Sequence, residues 1–182
     1  MPLSLDSFRN QLIEAGVPSP DARTIVFNGA APFLQAACES HSAGVKQLAK
    51  LLVREVFAIV NTTNTAIEES RLTPAMLVDV VKMLDDGKIN RDAARKSIEE
   101  LFQHGGSAEA IARRDSLFQI GDASAVNGIV QAVLQERGDL VSQYRSGKKK
   151  VRDALFGMVM KRMEGRGDPK EVGKALDQRL QE

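Results

Sequence analysis

The sequence predicts an all-α fold, with a helical bundle over residues 1–106 followed by a small three-helix tail over residues 107–182. Apolar residues recur at intervals of three and four through most of the chain, as on one face of an α-helix. No segment shows the strict apolar–polar alternation of a half-buried β-strand. Aromatic residues make up only 4% of the chain and tryptophan is absent, which also disfavours a sheet-rich fold.

The predicted bundle begins with three short helices. The segment "LSLDSFRNQLIEAGV" has apolar residues on one helical face, with Ser4 as N-cap and Gly16 as the end signal. In "SPDARTIVFN", Ser19 acts as a cap and Pro20 takes the first helical position. A third helix follows Gly29.

Three longer helices are predicted next. "GVKQLAKLLVREVFAIVNTT" carries the strongest amphipathic pattern and is interpreted as one helix. In "RLTPAMLVDVVKMLDDGK", Thr73 caps the helix, Pro74 begins it and Gly87 ends it. "NRDAARKSIEELFQHGG" is capped by Asn90 and ended by a glycine pair that starts at Gly105.

The boundary between bundle and tail is predicted in "HGGSAEAIARRDSLFQIGD". Two glycines, a short helix from Ser107, the extended "LFQI" and Asp122 as a new cap together indicate a hinge. Three helical segments follow: "ASAVNGIVQAVLQERGD", "LVSQYRSGKKKVRDALFGMVMKRMEG" and "DPKEVGKALDQRL".

Several classes of site are excluded by what the chain lacks. Cys38 is the single cysteine and is interpreted as a small core residue, while His41 and His104 are the two histidines, too few for a zinc site. Phosphate-binding glycine motifs and nucleophile motifs are absent. We therefore expect no catalytic and no metal-ligating residue. No apolar run approaches the roughly 18 residues that span a bilayer, so no membrane partner is expected.

Positive charge is concentrated near the end of the sequence. Residues 145–174 hold ten Lys and Arg against four Asp and Glu, in a chain of net charge +1. On a helical wheel of residues 148–164, the apolar stripe consists of Val151, Ala154, Leu155, Met158 and Val159. The narrow polar strip consists of Lys150, Asp153, Gly157, Lys161 and Glu164. A polyanion such as structured RNA, or an acidic protein, would suit the basic residues.

The candidate phosphate-binding residues are Lys148, Lys149, Lys150, Arg152, Lys161, Arg162 and Arg166. Gly157 within the helix has two interpretations. It either lets another helix pack closely or leaves a bare surface that a phosphate backbone can approach. Asp168 caps the last helix and Pro169 takes its first position. The N–H groups at this end, with Arg166 nearby, could hold an anion.

The same residues carry a resemblance to the GatB/YqeY family. Its C-terminal signature runs approximately Tyr-x-x-Gly-Lys, Gly-Gln-Val-Met-Lys and Gly-x-Ala-x-Pro. Here these motifs stand at Tyr144–Lys148, in "GMVMK" from Gly157 and in "GRGDP" from Gly165. Segments upstream, from about Asp21, also resemble the family.

Three departures from the family pattern concern the tail. Met158 stands where the family usually has Gln, and Gly167 where a small residue such as Ala is common. The Asn-Pro that often precedes the tyrosine is replaced by "RGDL". These departures weaken an exact transfer of the family's RNA contacts to this chain, but they do not weaken the family resemblance.

The resemblance implies a non-catalytic part of an amidotransferase. The family includes the B subunit of the carbon–nitrogen ligase that converts Glu-tRNA(Gln) to Gln-tRNA(Gln), and often Asp-tRNA(Asn) to Asn-tRNA(Asn). Its catalytic cradle has no counterpart here, so ATP and Mg²⁺ are expected only in that domain and no cofactor in this chain. The tail would grip tRNA through the seven basic residues above, and the bundle would link it to the cradle. Three glycines would allow close approach: Gly147, Gly157 and Gly165.

The resemblance also implies partners and a location. These are tRNA, the A and C subunits of the amidotransferase, and the bacterial cytoplasm or an organelle matrix, which a single cysteine fits. Two alternatives stay open, namely a stand-alone YqeY-like protein and a protein–protein adaptor with a basic tail. A direct part in ATP-dependent amidation would need a nucleotide site that the sequence does not show.

Overall fold

The computed structural model describes residues 4–121 and 123–181. Helices dominate these residues, which contain no β-strand and only isolated bridge residues, such as the pair Ile120 and Gly167, so the predicted all-α class is confirmed. The chain forms two compact units, Met1–Leu117 and Phe118–Glu182, called here the N-terminal and C-terminal units. Asp122, the predicted cap at the hinge, lies outside the described residues.

The N-terminal unit is a bundle of α-helices joined by short loops and 3₁₀ turns. Its helices are α1 Leu5–Glu14, α2 Ser19–Phe27, α3 Ala31–Ser40, α4 Val45–Leu51, α5 Phe57–Thr63, α6 Pro74–Asp85, α7 Arg91–His104 and α8 Ala108–Arg114. The predicted caps Ser4, Thr73 and Asn90 each accept a hydrogen bond from a backbone N–H in the first turn.

The helix predicted over residues 45–63 contains a π-helical segment, Leu52–Val56, between α4 and α5. The N–H of Phe57 donates to the carbonyl of Leu52, five residues back. The wider turn brings residues five apart onto one face. Leu51 and Val56 stand five residues apart, as do Leu52 and Phe57. All four side chains are therefore buried.

Helix α8 belongs to the N-terminal unit. It packs against α6 and α7 through Ala108, Ile111 and Ala112, which are buried. Leu117 is also buried, and its N–H donates to the carbonyl of Ala112. These contacts place the division between the units after Leu117, later in the chain than the boundary expected between residues 106 and 107.

The C-terminal unit contains four helices in its described residues, where the sequence predicted three. They are α9 Ala123–Glu136, α10 Gly138–Arg145, α11 Val151–Arg162 and α12 Pro169–Gln181. The segment expected as one helix is divided because Gly147 adopts a φ of 103°, which a helix does not allow. Helix α9 packs against α11 and α12. The core comprises Val126, Val130, Val133, Leu155, Val159, Met163, Val172, Ala175, Leu176 and Leu180.

Candidate nucleic-acid interface

One face of α11 is exposed along its whole length. Lys150, Ala154, Gly157 and Lys161 follow one another at helical spacing, and all four are exposed. We call this line of residues the Gly157 strip. The prediction that places Ala154 on the apolar stripe is wrong, because Ala154 is exposed on this face of α11. Asp153 and Glu164 are exposed beside the strip.

Gly157 lies in open space at the centre of this strip. A Cβ atom built at this position would have no heavy atom within 4 Å outside its own helix and chain neighbours. Close packing of another helix of this chain therefore does not account for the glycine. The interpretation that remains is a bare helix surface, about 16 Å long, with a lysine at each end.

The loop between α10 and α11 presents three consecutive lysines, Lys148, Lys149 and Lys150, all exposed. The turn is fixed by Gly147, whose N–H donates to the carbonyl of Tyr144 at 3.1 Å. The ammonium group of Lys149 lies 4.0 Å from the centre of the Tyr144 ring. This is a cation–π contact, in which the electron-rich face of the ring attracts the positive charge. These lysines form no ion pair within the described part of the chain.

Arg152 has a structural partner. Its guanidinium donates two hydrogen bonds to the carboxylate of Asp177 on α12, with Nη2 and Oδ2 2.7 Å apart. This hydrogen bond lowers the pKa of Asp177 and raises the pKa of Arg152. Only 33% of the Arg152 side chain is exposed. The candidate RNA contact at Arg152 is thus also a link between α11 and α12.

Arg162 is held in the same way by Glu136 of α9, through bonds of 2.9 and 2.7 Å. The hydrogen bond lowers the pKa of Glu136, so the pair stays charged at neutral pH. Arg166 forms an ion pair of 3.6 Å with Glu164, and its carbonyl accepts the N–H of Ile120 at 2.7 Å. Its side chain is only 27% exposed.

The start of α12 is capped by Asp168, as the sequence predicts. The Oδ1 atom of Asp168 accepts the N–H of Lys170 at 2.8 Å. The chain's own carboxylate therefore occupies the position where we expected a bound anion. Gly165 has a φ of 71° and open space around it, so its role is the turn geometry after α11.

The structure thus separates the seven candidate residues into two groups. Lys148, Lys149, Lys150 and Lys161 are exposed and without ion pairs in the described residues, whereas the three arginines each face a carboxylate. Arg145 at the end of α10 is exposed as well and was not among the candidates. Arg145 belongs to the same basic stretch, residues 145–174, so the charge count along the sequence could have identified it as a candidate.

The described residues contain neither a cluster of three His, Cys, Asp or Glu side chains that could hold a metal ion nor a helix long and apolar enough to cross a membrane. Comparison with known families matches the GatB domain to residues 32–180. The chain belongs to the GatB/YqeY family. The match covers the helices from α3 to α12 except the first residue of α3 and the last of α12. It includes the Gly157 strip and residues Lys148–Lys150, called here the lysine loop.

Several curated relatives of this GatB/YqeY chain are named as the B subunit of aspartyl/glutamyl-tRNA(Asn/Gln) amidotransferase. The protein from Trichlorobacter lovleyi is 31% identical over 95% of this chain and 36% of its own length. Those from Bacillus pumilus and Caldanaerobacter subterraneus are each 30% identical, over 94% and 99% of this chain and 36% and 38% of their own lengths. The chain therefore spans little more than a third of these relatives.

Proposed function

We propose that this chain is a tRNA-binding accessory region from the B subunit of a tRNA-dependent amidotransferase. The observation that carries the proposal is the set of exposed lysines without ion pairs on the α10–α11 loop and on α11, in a member of the GatB/YqeY family. The lysine loop and the Gly157 strip bind tRNA phosphates, and the N-terminal unit links them to the rest of the enzyme.

The exposed lysines suit a phosphate backbone because their counterions exchange freely with the solvent. A lysine without an ion pair carries an exchangeable counterion in the free protein, which a phosphate can replace. The three arginines already face carboxylates, so an incoming phosphate must compete with those groups. We expect Lys148, Lys149, Lys150 and Lys161 to provide most of the affinity, with Arg152, Arg162 and Arg166 secondary.

The proposal assigns the chemistry to the rest of the enzyme. Amide transfer to misacylated Glu-tRNA(Gln) or Asp-tRNA(Asn), with ATP and Mg²⁺, takes place outside these residues. The proposed partners are tRNA and the A and C subunits, in a bacterial cytoplasm or an organelle matrix. The names of the relatives support the tRNA substrate.

The test is tRNA binding at two salt concentrations, measured by gel shift with the purified chain. Four phosphate contacts give a slope of log affinity against log salt of about −3 to −4. Reversing three charges, Lys148→Glu, Lys149→Glu and Lys150→Glu, should lower affinity roughly tenfold or more and make the slope shallower by about two to three.

A matched control reverses three exposed lysines of the N-terminal unit, Lys82→Glu, Lys88→Glu and Lys96→Glu. It changes the net charge by the same amount and should reduce tRNA affinity much less. Equal losses in the two triple variants would mean that only net charge matters and would refute the site. Unchanged binding in the loop variant would refute it as well.

A docking role for the N-terminal unit is the second candidate, and one observation favours it. Phe27 at the end of α2 is 88% exposed, and Leu5 on α1 is 57% exposed. Exposed large apolar residues mark contact sites in soluble proteins when they cluster. Phe27→Ser should weaken capture of a protein partner in the presence of ribonuclease. Unchanged capture would exclude Phe27 from the contact.

A further inference from the structure

A cleft of about 400 Å³ opens between α9 and α11 of the C-terminal unit. Its lining consists of Val133, Glu136, Arg137, Met158, Lys161 and Arg162. Lys161 belongs to this cleft and also ends the Gly157 strip. The strip therefore leads directly into the cleft.

The apolar part of the lining is supplied by Val133 and Met158. Val133 is buried in the core of the unit, and Met158 is half-buried. The Nη1 atom of Arg137 lies 3.6 Å from the sulfur of Met158. A polarizable thioether beside a guanidinium is a surface on which a flat, π-rich group can pack.

Two guanidinium groups of the lining are fixed by carboxylates. Arg137 donates to both oxygens of Asp139, at 3.1 and 3.0 Å, and Arg162 donates to both oxygens of Glu136. About four tenths of each arginine side chain stays exposed. Their planes are held in place while their faces are accessible. Preorganised planar cations lose little entropy when a ring stacks on them.

Lys161 supplies the charge that the lining does not neutralise. It is exposed and makes no ion pair within the described chain, unlike the two arginines beside it. An anionic group bound here therefore displaces no protein carboxylate. A ligand with a flat ring at one end and a phosphate at the other matches these groups.

We propose that this cleft binds a single unstacked nucleotide of RNA, with its base against Met158 and the arginine faces and its phosphate at Lys161. The inference rests on the proposed function and adds a base-binding subsite to it. Unpaired bases splayed from loops and bulges are commonly held on guanidinium planes. Arg137 was missed in the sequence because it stands outside the basic stretch 145–174.

The first test compares adenosine 5′-monophosphate with ribose 5-phosphate, using the methyl NMR signal of Met158 in the full chain. The two probes share the phosphate, so a difference reports the base. We expect the nucleotide to bind at least fivefold more tightly and to shift the Met158 methyl signal through the ring current. Equal affinities, or a methyl signal that does not move, would overturn the inference.

The second test places a carboxylate in the cleft. Met158→Glu should abolish the preference for the nucleotide, while Met158→Leu should retain most of it. Gln131→Glu is the matched control, because Gln131 is exposed on α9 and outside the cleft. Arg137→Ala is a further cleft variant that leaves the core untouched, and it too should reduce the preference. If Met158→Glu and Arg137→Ala both kept the preference, the inference would be refuted.

Binding of total tRNA distinguishes this inference from the proposed function. We expect Met158→Glu to lower tRNA affinity about fivefold and to make the salt slope shallower by at most about one, since only the phosphate contact at Lys161 is affected. If charge reversal of Lys148–Lys150 abolishes binding and Met158→Glu has no effect, the cleft is not a subsite, but the proposed function stands. If neither change affects binding, both fail.

Discussion

Arg152 grips Asp177 through two parallel hydrogen bonds, Nε to Oδ1 and Nη2 to Oδ2, across the contact between α11 and α12. The guanidinium also lies close to Gly173, where a Cβ atom would be 3.6 Å from its Nη2 atom. A methyl group at residue 173 would make an ordinary van der Waals contact with the guanidinium. Arg152 therefore helps to hold the surface that carries the lysines, whatever it contributes to RNA binding.

A double-mutant cycle on Arg152→Ala and Asp177→Ala should give a coupling free energy of about 0.5–1 kcal/mol, because the pair is bidentate but part-exposed. Chemical unfolding of the four proteins measures it. Asp177→Ala should not lower tRNA affinity, since it frees Arg152 for a phosphate. A clear loss of affinity in Asp177→Ala would mean that the pair positions the lysine loop.

The same pair predicts a pH dependence of stability. The pKa of Asp177 in the folded chain is lower than its ordinary value of about 3.9, so folding favours the charged carboxylate. The contribution is complete above the ordinary value and is lost as the pH falls through the lower, folded pKa. Asp177→Asn should therefore destabilise the chain more at pH 6 than near pH 2. A constant difference in unfolding free energy at both pH values would contradict the assignment.

Ser97 on α7 is a buried polar residue whose hydroxyl has no hydrogen-bond partner among the described residues. Burying an unsatisfied hydroxyl costs about 1–3 kcal/mol, and alanine is also the better helix former. Ser97→Ala should raise the free energy of unfolding by about 1 kcal/mol. Thermal and urea unfolding of the variant measure the change. A loss of stability would show that the hydroxyl has a partner, such as a buried water.

Features set by local sequence were predictable. The caps Thr73 and Asn90 depend on neighbours within a few residues, and the structure confirms both. The π-helical segment was missed because Leu48, Leu52 and Val56, spaced four residues apart, also fit an ordinary helical stripe. The division at Gly147 was missed because apolar residues continue on both sides of the loop.

The sequence could not predict which basic side chains pair with a carboxylate and which stay exposed. Arg162 finds Glu136 and Arg152 finds Asp177, partners that stand 26 and 25 residues away. Such pairs depend on how helices pack, which charge counts along the chain do not reveal. The exposure of Lys148, Lys149 and Lys150 could be predicted, although the loop could not, because three consecutive lysines are exposed in almost any packing.

Gly157 gives the sharpest prediction because stability and binding should change in opposite directions. Glycine inside a helix costs about 1 kcal/mol relative to alanine, and nothing crowds a Cβ at this position. Gly157→Ala should therefore raise the melting temperature. If a phosphate backbone lies against the bare surface, the methyl group should lower tRNA affinity by roughly fivefold, which corresponds to about 1 kcal/mol.

Gly128→Ala is the matched control, since Gly128 is an exposed glycine inside α9 that also has open space around it. It should raise the melting temperature by a similar amount and leave tRNA affinity unchanged, because Gly128 is outside the Gly157 strip. Equal affinities for all three proteins would mean that the RNA does not approach α11 at its centre. The lysine loop would then be the main point of contact, and the glycine would have no part in binding.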